Sequence, residues 1–129
     1  MNVLIFGGTG LLGSAAAQIF IDRGHKVKTI ALPPLPEGAP IPKEMDIEFG
    51  NFLELSEEEL EKAMTGMDAF VYAAGVDERV EFPHPVYEAY KKYNINPTDR
   101  CLRWLKSAAL RDALFLAHIL LGLLRKDLI

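Results

Sequence analysis

The sequence has one cysteine, Cys101, among 129 residues. That excludes an internal disulfide and any zinc site built on cysteines. Basic residues are in the minority: 14 Lys and Arg against 18 Asp and Glu give a net charge of −4. Nucleic acid is therefore not the expected partner, because phosphate binding draws on clustered Lys and Arg. His25, His84 and His118 are scattered and make no metal-ligand spacing, so no metal is expected. No apolar run reaches the roughly 20 residues of a membrane span. The first apolar run, Val3 to Phe6, has no basic region before it and is too short for a signal peptide. The expectation is a soluble, cytoplasmic protein with no membrane partner. With 50% hydrophobic and 25% charged residues, the chain can bury one core and has the length of a single domain.

What is present alternates. Val3 to Phe6 reads as a strand buried on both faces. A glycine-rich turn follows. Then comes a helix through Ile21, with Leu12, Ala16, Ile19 and Phe20 spaced to lie on a sheet and Gly24 as its stop. Val27 to Leu32 is a second strand, and the prolines from Pro33 to Pro42 form a loop. Asp46 to Phe49 is a third strand. Ser56-Glu57-Glu58-Glu59 is a capping box that opens an acidic helix to about Thr65. Ala69 to Ala73 is a fourth strand, ended by Gly75. A helix from Pro85 or Val86 to about Ala109 carries a possible kink at Pro97. The order β-α-β, β, α-β, α predicts an α/β fold with a parallel, Rossmann-like sheet, the N-terminal portion of a doubly wound domain.

The glycine turn carries the chemistry. Gly8, Gly10 and Gly13 fit G-x-G-x-x-G, and Gly7, Gly10 and Gly13 fit G-x-x-G-x-x-G. In either pattern one glycine permits the strand-to-helix turn, one admits a pyrophosphate close to the backbone, and one allows close helix–strand packing. The helix N-terminus then offers N–H donors and a positive dipole end. Position between a strand and a helix makes this a dinucleotide site rather than a bare glycine turn. The acid expected at the end of the second strand is missing, since that stretch reads Ala31-Leu32-Pro33 with no nearby Arg. NAD and NADP both stay open, with NAD slightly preferred.

Phe6-Gly7-Gly8-Thr9-Gly10-Leu11-Leu12-Gly13 resembles the signature of the extended short-chain dehydrogenases, the NAD-dependent epimerase/dehydratase family. Gly50-Asn51-Phe52 resembles the family's Gly-Asp-hydrophobic segment at the adenine, with Asn51 in place of the acid. Ala73-Ala74-Gly75 resembles its Ala-Ala-Gly beside the nicotinamide ribose. Asn94-Ile95-Asn96-Pro97-Thr98 resembles Asn-x-x-Gly-Thr, with Pro97 in place of Gly. The resemblance covers residues 1 to about 106. It implies that Gly7, Thr9, Gly10, Leu11, Leu12, Gly13, Asn51, Phe52, Ala73, Ala74, Gly75 and Asn94 contact the cofactor. It also implies an oxidoreductase whose full-length form acts on a sugar nucleotide or related small molecule.

The family's Tyr-x-x-x-Lys pair is not matched in place. Tyr87 and Lys91 have the spacing but precede Asn94, one β-α unit too early, and read as packing and a solvated charge. No catalytic residue is assigned, and the chain alone is expected to bind cofactor weakly and turn nothing over. Glu57, Glu58, Glu59 and Glu61 read as a solvated helix face. Cys101 reads as a buried or half-buried thiol and Trp104 as core.

After Ala109 the resemblance fades. The family would give a basic turn, a fifth strand and a serine, whereas residues 110–129 are strongly apolar and contain no serine. Divergence, truncation and a frameshift compete. With permitted codons for Ser107 to Ile129, the −1 frame can encode the missing turn, strand and serine. The expectation is therefore a Rossmann-like domain over 1–109 and a frameshifted or truncated tail over 110–129, with Ala113 to Leu116 able to mimic a fifth strand. Exposed apolar tail residues and an open sheet edge predict self-association into homo-oligomers. The alternative is a non-catalytic nucleotide sensor or interaction module, with the Pro33 to Pro42 loop as its partner surface.

Overall fold

A computed structural model describes residues 1–75, 81–108 and 112–115; for 107–108 and 112–115 it describes the backbone alone. The elements are β1 (Asn2–Phe6), α1 (Leu11–Asp22), β2 (Lys26–Ala31), β3 (Asp46–Phe49), α2 (Glu57–Met64), β4 (Ala69–Tyr72), α3 (Val86–Tyr90), a π-helical turn (Lys91–Ile95), α4 (Asn96–Ala108) and β5 (Asp112–Phe115). The strands form one five-stranded sheet in the order β3-β2-β1-β4-β5. All four pairings are parallel, with Val3 opposite both Val27 and Ala69. That is the order of one doubly wound half-sheet with its partner strands begun, in which β1 is central.

Side-chain alternation splits the core in two. On one face Leu4, Phe6, Ile30, Phe70 and Tyr72 pack with Leu60 and Met64 of α2 and with Cys101 and Leu105 of α4. On the other, Val3, Ile5, Val27 and Val71 pack with Ala17 of α1 and with Met45 from the proline-rich loop. β1 is apolar at every position from Val3 to Phe6 because both its faces are covered.

The spacing expectation for α1 needs correction. Leu12 and Ile19 are more than half exposed, and the buried residues are Gly13, Ser14 and Ala17. The helix approaches the sheet through small residues, which leaves no room for leucine or isoleucine along the line of contact. Phe20 and Ile21 pack partly at its C-terminal end. Arg23 caps the helix, and Gly24 follows with φ of 82°.

β2 runs one residue earlier than expected, β3 occupies the expected span, and β4 ends one residue sooner. α2 opens on the expected capping box. The Glu59 N–H donates to Ser56 Oγ at 3.2 Å, and the Ser56 N–H donates to Glu59 Oε2 at 2.8 Å. Those Ser56 contacts hold the Glu59 carboxyl below its ordinary value.

The long helix expected from residue 86 is one path but not one regular helix. A π-helical turn interrupts it just ahead of Pro97, the second residue of α4. Proline has no N–H to give and its ring crowds the preceding turn, so the ladder loosens there. Cys101 is buried, while Trp104 is only partly buried against the core, less than expected. β5 begins one residue before the anticipated Ala113 and pairs with β4. The rest of the 110–129 tail lies outside the described residues. No helix among the described residues is long and apolar enough to cross a membrane.

Candidate functional site

The chain leaves β1 at Phe6 and turns through Gly7, whose φ of 86° suits glycine. The Gly10 N–H closes the turn on the Gly7 carbonyl at 3.0 Å. A Cβ at Gly13 would lie 2.0 Å from the Gly7 oxygen, and one at Gly7 would lie 2.6 Å from the backbone of Ala73 and Ala74. The first turn of α1, the glycine loop and the end of β4 are thus pressed together backbone to backbone. Gly8 is also closely packed: its Cβ would meet Thr29 Oγ1 at 2.7 Å. Gly7, Gly8 and Gly10 sit in the loop and Gly13 in the first turn of α1, with Gly7, Gly8 and Gly13 under the tightest steric demand.

α1 begins without a side-chain cap and without an acid in its first turn. α2 has both, in Ser56 and in Glu57 to Glu59. The first N–H groups of a helix have no partner within it, and its N-terminal end carries about half a positive charge. At α1 those donors follow Gly10 and have no carboxylate to neutralise them, so the loop suits an anion such as a pyrophosphate. Leu11 and Leu12, 74% and 57% exposed, flank this end rather than the core.

One further segment ends at the same edge of the sheet. After β3 comes Gly50-Asn51-Phe52, where the Gly50 N–H donates to the Ala31 carbonyl at 3.0 Å. Asn51 Oδ1 accepts from the Leu53 N–H at 3.1 Å, which forms a turn. Its NH2 group is then what this side chain chiefly offers a base. Phe52 stacks on Phe6 with ring centroids 4.9 Å apart, and Tyr72 meets it edge-on at 6.3 Å. Its ring belongs to the core and to the wall of a cavity of about 370 Å³. That cavity lies between this loop and α4, with Tyr93, Asn96, Pro97 and Arg100 opposite Asn51 and Phe52. Asn94 is in the π-helical turn, where its carbonyl accepts from the Thr98 hydroxyl at 2.7 Å. The cavity takes in its neighbours Tyr93 and Asn96 instead.

Tyr72 and Cys101 behave as core groups. Burial pushes the Tyr72 phenol up to about 12, with the Thr98 hydroxyl pulling the other way. Burial likewise pushes the Cys101 thiol up to about 12, against the pull of Arg100. Neither is poised for chemistry near neutral pH. Tyr87 is 63% exposed on α3, and Lys91 is exposed beyond it. Among the described residues no group of three or more His, Cys, Asp or Glu could hold a metal ion.

The sequence reading missed Thr29. Its hydroxyl donates to the Ile5 carbonyl at 2.7 Å and accepts from the Gly8 N–H at 3.3 Å, fully buried. A hydroxyl next to Ile30 and Ala31, in a strand whose other polar residues Lys26 and Lys28 are less buried, was the available signal. Thr29→Val keeps the shape but strands both backbone groups, so it should cost about 1–3 kcal/mol in denaturant unfolding.

The chain's residues 3–117 match the model of the NAD dependent epimerase/dehydratase family. Among solved structures, MoeE5 in complex with UDP-glucuronic acid and NAD is 18% identical, with a TM-score of 0.70 over 89% of this chain and 36% of that one. UDP-glucose-4-epimerase from Stenotrophomonas maltophila, with bound NAD and formylated UDP-arabinopyranose, is 21% identical, with a TM-score of 0.71 over 89% and 36%. A further UDP-glucose 4-epimerase is 20% identical, with a TM-score of 0.67 over 89% and 35%. The chain therefore spans about a third of the length of these structures, and at such identities they speak for the fold alone. No curated protein sequence matches. With the strand order, the glycine loop and a family match over most of its length, the chain belongs to the NAD-dependent epimerase/dehydratase family.

Proposed function

We propose that the chain binds NAD across the carboxyl edge of its sheet, as the cofactor-binding part of an epimerase/dehydratase-type oxidoreductase. The observation that carries this reading is the backbone contact of Gly13 with Gly7 beneath an uncapped helix N-terminus. Side chains at those positions would force α1 and the end of β4 away from the glycine loop and displace the helix N-terminus, and an acid in the first turn would oppose the anion; the chain has neither. Gly7, Thr9, Gly10, Leu11, Leu12 and Gly13 are assigned to the pyrophosphate, and Asn51 and Phe52 to the adenine. Ala73, Ala74 and Gly75 are assigned to the nicotinamide half, and Asn94 to the cofactor without a particular half. Bound there, NAD would supply a hydride acceptor that can return the hydride. The protein's part is to hold the dinucleotide extended and to shield its apolar rings.

NAD is preferred over NADP because the end of β2 brings no cation to the adenosine ribose. Leu32 there is 59% exposed, and Lys28 within the strand is paired with Glu48 at 2.6 Å. A sugar nucleotide is the proposed substrate class of the longer protein, supported by the UDP-sugars bound to MoeE5 and to the Stenotrophomonas maltophila epimerase. The single buried thiol suits the reducing cytoplasm. Self-association through a sheet edge and the apolar tail is part of the same reading. A sedimentation profile that stays monomeric at high concentration would count against that last element.

Titration calorimetry tests the cofactor assignment. Saturable binding of NAD, with NADP at least about tenfold weaker, is expected. Absence of heat with either dinucleotide at millimolar concentration, in a chain that unfolds cooperatively, would overturn it.

A further inference from the structure

The loop that carries Asn51 and Phe52 is fastened at its far end from another part of the chain. Arg100 on α4 donates from Nε to Glu57 Oε1 at 2.8 Å and from Nη2 to the Leu55 carbonyl. These contacts reach back 43 and 45 residues. The side chain is about one-quarter exposed, while that of Glu57 is three-quarters exposed. Arg100 also lines the cavity opposite Asn51 and Phe52.

We propose that Arg100 is a positioning residue for the base-binding loop, setting the distance between Asn51 and α4 and so the width of the seat for adenine. This rests on the dinucleotide reading above. The loop's other fixings are local turns, the tie of its near end to β2, and the packing of Phe52 and Leu55 on the core. Asn51 bonds to Leu53 and, through its carbonyl, to Glu54 at 3.0 Å, while Gly50 is tied to β2. Phe52 anchors on Phe6. None of these is a hydrogen bond from the loop to α4, and Arg100 supplies one. The fork of the guanidinium matters, because one planar group serves two acceptors, a carboxylate and a carbonyl. An ammonium at residue 100 would serve one and leave the other.

Arg100→Lys and Glu57→Gln test this in the full 129-residue chain, with adenosine monophosphate as the probe. Affinity is read by calorimetry and loop order by amide hydrogen exchange. Arg100→Lys should weaken the nucleotide about tenfold. It should speed exchange at Leu53 and Glu54 while Leu4 and Ile5 in β1 stay protected. Glu57→Gln, which spares the Leu55 contact, should give a smaller shift in the same direction. A purely structural role would speed exchange in β1 as much as in the loop, and that result overturns the proposal. So does unchanged affinity in both variants. If the unsubstituted chain itself binds neither the monophosphate nor NAD, the dinucleotide reading fails first and this inference falls with it.

Discussion

Gly13→Ala is expected to unfold the glycine loop and abolish nucleotide binding. An added Cβ would sit 2.0 Å from the Gly7 oxygen and 2.7 Å from the Gly7 carbonyl carbon. Both are backbone atoms, so no side chain can swing aside. Gly7 has little room to retreat, because the backbone of Ala73 and Ala74 lies 2.6 Å from where its own Cβ would be. Relief requires α1 to lift from β1, which opens the contact of Ala17 with Val3, Ile5 and Val71. Overpacking of this kind costs about 3 kcal/mol. In a domain of this size that lowers Tm by roughly 10 °C. Gly24→Ala is the control. Its φ of 82° is also unfavourable, but nothing lies within 4 Å. It should cost about 1 kcal/mol and leave nucleotide affinity unchanged. Thermal unfolding with and without NAD separates the two: Gly24→Ala should keep the ligand-induced rise in Tm, and Gly13→Ala should lose it.

Phe6→Ala should cost about 3–5 kcal/mol and weaken nucleotide binding as well. Phe6 is fully buried at the end of the central strand. It stacks on Phe52 at 4.9 Å and meets Phe70 edge-on at 5.2 Å. Removing its ring leaves a hole in the core and takes away the surface on which Phe52 rests. Asn51 would then have a loose neighbour on its chain. Phe70→Ala is an informative partner because Phe70 is equally buried but does not line the cavity. The two variants should lose similar stability in denaturant unfolding, and only Phe6→Ala should lose affinity beyond what unfolding explains. Equal affinities in the two would remove Phe52 and its support from the site.

The sheet was legible because its signals are local. The unbroken run from Val3 to Phe6 announced a strand covered on both faces. Ser56 and Glu59 announced the start of α2, and their reciprocal bonds are in place. The glycine spacing announced the loop, and the steric contacts at Gly7 and Gly13 explain why those positions carry no side chain. The face of α1 was misread because periodicity ranks residues by hydrophobicity, whereas close helix–sheet contact selects by size. Ser14 and Gly13 therefore lie inside, and Leu12 and Ile19 lie outside. The roles of Thr29 and Arg100 were missed for another reason. Each acts on backbone atoms 21 to 45 residues away, and only the completed fold brings those atoms near. Pro97 flagged an irregular helix, and the irregularity is a π-helical turn over Lys91–Ile95.

We propose that three separated segments, the glycine loop, the Asn51 loop and the end of β4, form one dinucleotide site. Amide chemical-shift mapping during an NAD titration tests this. Concerted, saturable shifts are expected at Gly8 to Leu12, at Asn51 to Leu53 and at Ala73 to Gly75, all fitting one dissociation constant. Shifts confined to one segment, or absent from the glycine loop at saturation, would contradict it.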